Sequence, residues 1–287
     1  MDNFPGEPSF ILADTHVHIY NCYDLRQLLD SALGNFKKTS KEQGIKQYTA
    51  FLFLTETIRE NWFHRLTELA TNEKGPGPGS IGKWTFRLTK EDCSLYAGLN
   101  AEGGLYLIAG RQIKTAENME VLALGTIQSL EEGSSLEELT RLINKYGAIT
   151  VIPWGLGKWT GRRGTILKKL LDKKGAPYFF LGDNRNRPVF WPRPTPFKQE
   201  ERRRRAVLPG SDSLPFPSEV RYVGSYGFTI EGSIDPEYPA RDIKKLLVDP
   251  TTILRAYGSR ENPVRFFWNQ LRFNGMKRKE SYSQHHN

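Results

Sequence analysis

The chain has 287 residues, of which 38% are hydrophobic, 12% aromatic and 25% charged, enough for one large packed domain or a domain with a small appendage. Its apolar runs are strand-sized, which excludes a membrane span. The opening Met1-Asp2-Asn3-Phe4 segment lacks the basic and apolar regions of a signal peptide, and Cys22 and Cys93 are too few for a disulfide framework, so the expected location is the cytoplasm.

In chain order, Phe10-Ile11-Leu12-Ala13 begins a strand that closes on Asp14-Thr15-His16-Val17-His18. Strand side chains alternate, so His16 and His18 share a face and can grip a single cation such as zinc, manganese or iron. Leu25, Leu28, Leu29 and Leu33 predict an amphipathic helix over 23–35. Residues 48–55 read as a strand followed by Glu56, which either joins the ligands or begins the next helix. That helix carries Ile58, Trp62, Leu66 and Leu69, with His64 in a packing or surface position.

Gly75-Pro76-Gly77-Pro78-Gly79 then breaks the pattern as a long surface loop or lid. Short strands are expected over 83–99 and 104–126. Gln112 and Glu120 fall in the second stretch, where Glu120 reads as an exposed strand position.

Ser134-Ser135 precede a helix with Leu136, Leu139, Leu142 and Ile143, and 148–152 is a buried-strand pattern. The loop that follows, with Lys158, Arg162 and Arg163 among glycines, suits a phosphate or carboxylate, aided by Arg187; a plain basic loop is the alternative. A helical stripe of Ile166, Leu167, Leu170 and Leu171 leads to a strand at 178–181, followed by Asp183 and Asn184. A short strand at 206–208 is followed by Gly210-Ser211-Asp212, where Asp212 either ligates or caps a turn. Strand-helix-strand order is that of a parallel α/β layer.

Helices are expected at 240–247, 250–257 and 261–273, with a frayed tail from about 276. His285 and His286 there suit adventitious metal binding. The net charge of +9 attracts anions, and Arg202 to Arg205 form its densest run. Without a nucleic-acid motif, and behind Glu200-Glu201, that run reads as a solvated basic surface; nucleic acid is the alternative partner.

The residues at the strand ends carry a resemblance. Asp14-x-His16-x-His18, Ile108 to Gln112, Val151 to Gly155, Phe179 to Asn184, and Gly210-Ser211-Asp212-Ser213-Leu214 fall in the order of the PHP family, the polymerase and histidinol phosphatase barrel of metal-dependent phosphoesterases. More loosely, they resemble the amidohydrolase superfamily. The resemblance spans residues 10–215. The departures are Gln112 for a carboxylate, Trp154 in the region of a histidine, and Leu214 for the terminal histidine.

It implies a distorted TIM-like (β/α)7 barrel over 1–220 with a helical C-terminal extension over 221–287. It also implies one divalent metal ion (zinc, manganese or iron) on His16, His18 and Asp212, with Gln112 as a further donor. The expected function is a mononuclear metal-dependent hydrolase acting on an anionic small molecule, such as a phosphoester. In that scheme Asp183 or Asp14 accepts the proton of the attacking water, and Lys158, Arg163, Arg187 and Asn184 bind the substrate. The alternative is a non-catalytic barrel that binds a phosphorylated metabolite or partner.

Overall fold

The structure, a computed structural model, describes residues 9–71 and 79–272. Most of the Gly-Pro segment, and the tail with His285 and His286, lie outside the described residues. In the first half β1 (Phe10–Val17), α1 (Leu25–Glu42), β2 (Tyr48–Leu54) and α2 (Trp62–Thr71) form a strand-helix alternation. Asp24 caps α1 by accepting from the Gln27 N–H at 2.8 Å, and Leu25, Leu28, Leu29, Ala32, Leu33 and Phe36 bury one stripe of it.

Four strands run up and down next: β3 (Ser80–Ile81), β4 (Trp84–Leu88), β5 (Ser94–Gly98) and β6 (Gly104–Ile108). The hairpin of β7 (Gly110–Lys114) and β8 (Glu120–Leu124) leads into α3 (Leu136–Lys145), whose start is a capping box between Ser135 and Glu138. Then come β9 (Ile149–Pro153), α4 (Gly161–Asp172), β10 (Phe180–Asn184), α5 (Thr195–Arg202), β11 (Val207–Gly210), β12 (Gly227–Glu231), α6 (Pro239–Val248) and β13 (Arg255–Tyr257). Residues 263–272 are helical. No helix of the described residues is long and apolar enough to cross a membrane.

The strands form two sheets, ordered β13-β12-β1-β2-β6-β5-β4-β3 and β11-β10-β9-β8-β7. Their inner faces enclose a core that includes Ile11, Ala13, Phe51, Phe53, Leu122, Leu124, Val151, Phe180 and Leu208. α1 packs outside the first sheet and α3 and α4 outside the second. The sheets approach at two seams. At one, Glu56 bridges to Arg111. At the other, the Thr15 hydroxyl donates to the Pro209 carbonyl at 2.9 Å and the Asp212 N–H to the His16 carbonyl at 2.9 Å.

The architecture is mixed α/β, and the expected distorted TIM-like (β/α)7 barrel is not found as a closed barrel: the strands of the described residues form two sheets. The reason is local. β7 turns back into β8 through Thr115 to Asn118, with Asn118 in the left-handed region at φ 60°, and a tight hairpin reverses the chain, whereas parallel neighbours need a crossover. β8 is thus antiparallel to both β7 and β9.

Of the expected C-terminal helices, 240–247 corresponds to α6 and 261–273 to the helical residues 263–272, whereas the third is corrected. β12 lies antiparallel on β1, and the 250–257 segment ends in β13 rather than forming a helix. α5 and β12 have no counterpart among the expected elements.

Candidate metal centre

The two histidines reach the space between the sheets because β1 carries one extra residue. Asp14 stands opposite Leu52, and Val17 opposite Leu54, so three steps on β1 match two on β2, the signature of a bulge. Before the bulge Ile11 and Ala13 face the inter-sheet core while Leu12 faces α1. Beyond it Val17 packs on the α1 side, which sends His16 and His18 to the face of Ile11 and Ala13. A slip of one residue exchanges the faces of a strand, and here the bulge performs that exchange where β1 ends.

The Nε2 atoms of His16 and His18 lie 3.2 Å apart. Asp212 Oδ1 is 3.5 Å from the first and 3.8 Å from the second, and Gln112 Oε1 is 3.1 Å from His16 Nε2. Two ligands of a tetrahedral zinc ion lie about 3.3 Å from each other, so the His16, His18 and Asp212 atoms have about the spacing of a coordination polyhedron's edges, with Gln112 Oε1 beside the first. Both imidazoles are buried.

Burial pushes the His16 pKa down to about 4, with partial relief from Glu120, and it lowers that of His18 together with the neighbouring His16. Both are therefore neutral near pH 7, the form that ligates a metal. Loss of water raises Asp212 to about 6, opposed by His18. His18 Nδ1 is buried with no hydrogen-bond partner. A donor set of two neutral imidazoles, a carboxylate and an amide oxygen fits a borderline divalent ion.

Asp212 is held in place from several sides. Its backbone is in the left-handed region at φ 45°, a conformation that costs on the order of 1–3 kcal/mol for a non-glycine residue and collects at functional sites. Asn184 Nδ2 donates to Asp212 Oδ2 at 2.9 Å and to the Trp154 carbonyl at 2.8 Å. Asn186 donates to the Asp212 carbonyl at 2.5 Å.

A cavity of about 350 Å³ is lined by His18, Gln112 and Asp212, with Tyr20, Glu120, Trp154, Lys158 and Leu214 and with Phe266 and Gln270 of the last helical stretch. Of the expected substrate-binding residues, Lys158 and Asn184 line it. The structure places Arg163 outside, donating to the Asn118 and Gly157 carbonyls. Arg187 is buried in a two-pronged ion pair with Asp183, at 2.7 and 2.6 Å.

That pair, with the Tyr226 hydroxyl donating to Asp183 Oδ2 at 3.0 Å, removes Asp183 from the cavity. Asp14 is removed too: Oδ1 accepts the Ser211 N–H and Oδ2 the Gly224 N–H, each at 2.8 Å, tying three chain segments together. Burial raises its carboxyl to about 6. Glu56 accepts the Phe63 N–H at 2.7 Å and so begins α2.

Glu120 faces the cavity and pairs with Lys158, whereas the sequence reading made it an exposed strand position. The available signal was parity: Glu120, Leu122 and Leu124 alternate on one face of β8, and the two leucines belong to the inter-sheet core.

No family model matches the chain, and no curated protein matches it. Among solved structures it is similar to PsfC from Pseudomonas syringae PB-5123, at 16% identity and a TM-score of 0.48, over 86% of this chain and 91% of PsfC. It is also similar to PfuEndoQ, a lesion-specific endonuclease from Pyrococcus furiosus, at 11% identity and a TM-score of 0.44, over 85% of this chain. A third is Endonuclease Q in complex with a 27-mer duplex substrate with an abasic lesion, at 13% identity and a TM-score of 0.43, over 82% of this chain. The chain spans 57% of the length of each endonuclease.

Proposed function

We propose that the chain is a hydrolase dependent on one divalent metal ion, of the PHP kind suggested by its strand-end motifs, and that it acts on a small anionic substrate such as a phosphoester. The observation that supports this most is the convergence of His16 Nε2, His18 Nε2, Asp212 Oδ1 and Gln112 Oε1, the last three residues lining a cavity. His16, His18 and Asp212 hold the ion, and Gln112 adds a neutral donor. A divalent ion so held supplies Lewis-acid activation of water.

The chain's own side chains do the rest. Asn184 keeps the Asp212 carboxylate turned toward the histidines. Glu120, in the cavity wall, takes the proton of the attacking water, a role that neither Asp14 nor Asp183 can reach from its buried place. Lys158 exchanges Glu120 for the negative charge of the substrate. Among the described residues that line the cavity it is the single cation, set against Glu120 and Asp212. The pocket is therefore net negative by itself and accepts an anion only once the ion is in place.

A second reading, a non-catalytic barrel that binds a phosphorylated metabolite or partner, is favoured by Gln112, Trp154 and Leu214, which thin the set of metal ligands. Elemental analysis of protein purified without chelators, beside a His16→Ala, His18→Ala control, tests both. The hydrolase reading requires close to one zinc, manganese or iron per chain, lost in the control, and metal-dependent release of phosphate from a phosphomonoester panel. One bound ion without turnover, or no ion after incubation with each metal, overturns the hydrolase reading and leaves the binding protein.

A further inference from the structure

The helix at 263–272 turns its apolar stripe to solvent. Val264, Phe267, Trp268 and Leu271 fall at i, i+3, i+4 and i+7, the spacing of a face that packs on a core. Here they are 81, 58, 60 and 68% exposed. The half-exposed Phe190 ring stacks on Phe267 with 12° between the planes, and Val189, equally exposed, extends the patch. Single exposed apolar residues need no explanation, but a contiguous group of them marks an interaction surface.

The helix is fixed by its other side. Asn262 caps its start, accepting the Arg265 N–H at 2.9 Å. Phe266 and Asn269, opposite the stripe, are buried, and Phe266 and Gln270 line the metal cavity. Arg265 reaches Glu219 and, at 3.5 Å, Glu261, and the same two carboxylates each hold Arg185 at 3.0 Å. Two buried acids against two guanidinium groups make a neutral cluster that anchors the helix.

That cluster consumes the acids beside the patch and leaves two cations over. The Arg260 guanidinium donates to the Pro188, Val189 and Trp191 carbonyls, at 3.4 to 3.5 Å, which sets it at the Val189 and Phe190 edge. Arg272, next to Leu271, lies over the Phe216 ring at 4.0 Å. Neither has an ion pair among the described residues. The sequence from Asn262 to Lys279 holds no carboxylate and ends in Lys277-Arg278-Lys279.

We propose that this face docks on an anionic lipid surface. Aromatic and aliphatic side chains of such a helix enter the acyl boundary while its cations meet the headgroups. A second copy fits the face less well, because a two-fold contact would crowd Arg260, Arg272 and their equivalents together with no acid to pair them. Nucleic acid would meet apolar side chains where its phosphates need cations.

Co-sedimentation of the full chain with vesicles tests this. Vesicles of equal parts phosphatidylcholine and phosphatidylserine should retain the chain, and phosphatidylcholine alone should hold it about tenfold or more weakly. Val264→Gln with Leu271→Gln keeps every charge and alters only exposed positions. It should weaken binding by about tenfold or more at an unchanged melting temperature. Arg272→Glu should weaken it by about tenfold. Brominated acyl chains should quench tryptophan emission, and Trp268→Phe should remove most of that quenching while binding persists. Failure to bind the mixed vesicles, or equal binding to both compositions, would overturn the proposal. So would unaltered binding of the Val264→Gln, Leu271→Gln variant, which would leave net charge alone as the cause. A wild-type dimer in sedimentation velocity that this variant breaks would give the face to a second copy instead.

Discussion

Gly210 backs directly onto His16: a Cβ built at Gly210 would lie 2.5 Å from both the backbone nitrogen and the Cβ of the histidine. The end of β11 therefore approaches the bulged end of β1 as closely as two backbones allow, and that approach sets Asp212 beside the imidazoles. Gly210→Ala should push the two strand ends apart, cost about 1–3 kcal/mol by overpacking, and reduce bound metal well below one equivalent. Urea titration and elemental analysis read the two effects; full metal content at normal stability would show that the close approach is not needed.

Arg187 and Asp183 form a buried pair rather than part of the substrate site. Removing one partner of such a pair leaves an uncompensated buried charge, which costs roughly 3–5 kcal/mol. Arg187→Ala should lose about that much in chemical denaturation while the folded fraction keeps its metal. A variant of normal stability with weakened substrate binding would return Arg187 to the sequence-based role.

Metal affinity should depend on pH in one direction and over one window. With His16 near 4 and Asp212 near 6 in the metal-free protein, the ion displaces no proton from these two groups above pH 6. Between 6 and 4 it must displace one from Asp212, so affinity falls by about tenfold per pH unit on acidification. Asp212→Asn should bind more weakly at pH 7 and show a flatter profile over that window. Titration with a metal-sensitive dye at a series of pH values measures the slope, and a fall that begins near 7 would mean the histidines are protonated instead.

Gln112 donates an oxygen without a charge. Gln112→Glu keeps its reach and adds an anion beside His16, so metal affinity should rise by about tenfold if Gln112 lies within bonding distance of the ion. Competition against a chelator of known affinity checks this. Unchanged affinity would place Gln112 as a hydrogen-bond partner of His16 and nothing more.

What the sequence by itself determined is local. Leucine spacing located α1, the Ser135-x-x-Glu138 box located the start of α3, apolar runs located β1, β2 and β9, and the period of two paired His16 with His18. These follow from short-range periodicity and capping, which need no knowledge of distant neighbours.

The tertiary structure decided the rest. A bulge, invisible in the alternation of residue types, chose which side of β1 the histidines occupy. The β7–β8 hairpin and the return of β12 onto β1 replaced the expected parallel barrel with two sheets, because strand direction is settled by connections and partners rather than by composition. Asp183 captured Arg187, and Glu120 joined Lys158 in the cavity. A charged side chain takes its role from the counter-charge it meets in a low-dielectric interior, and that meeting is written only in three dimensions.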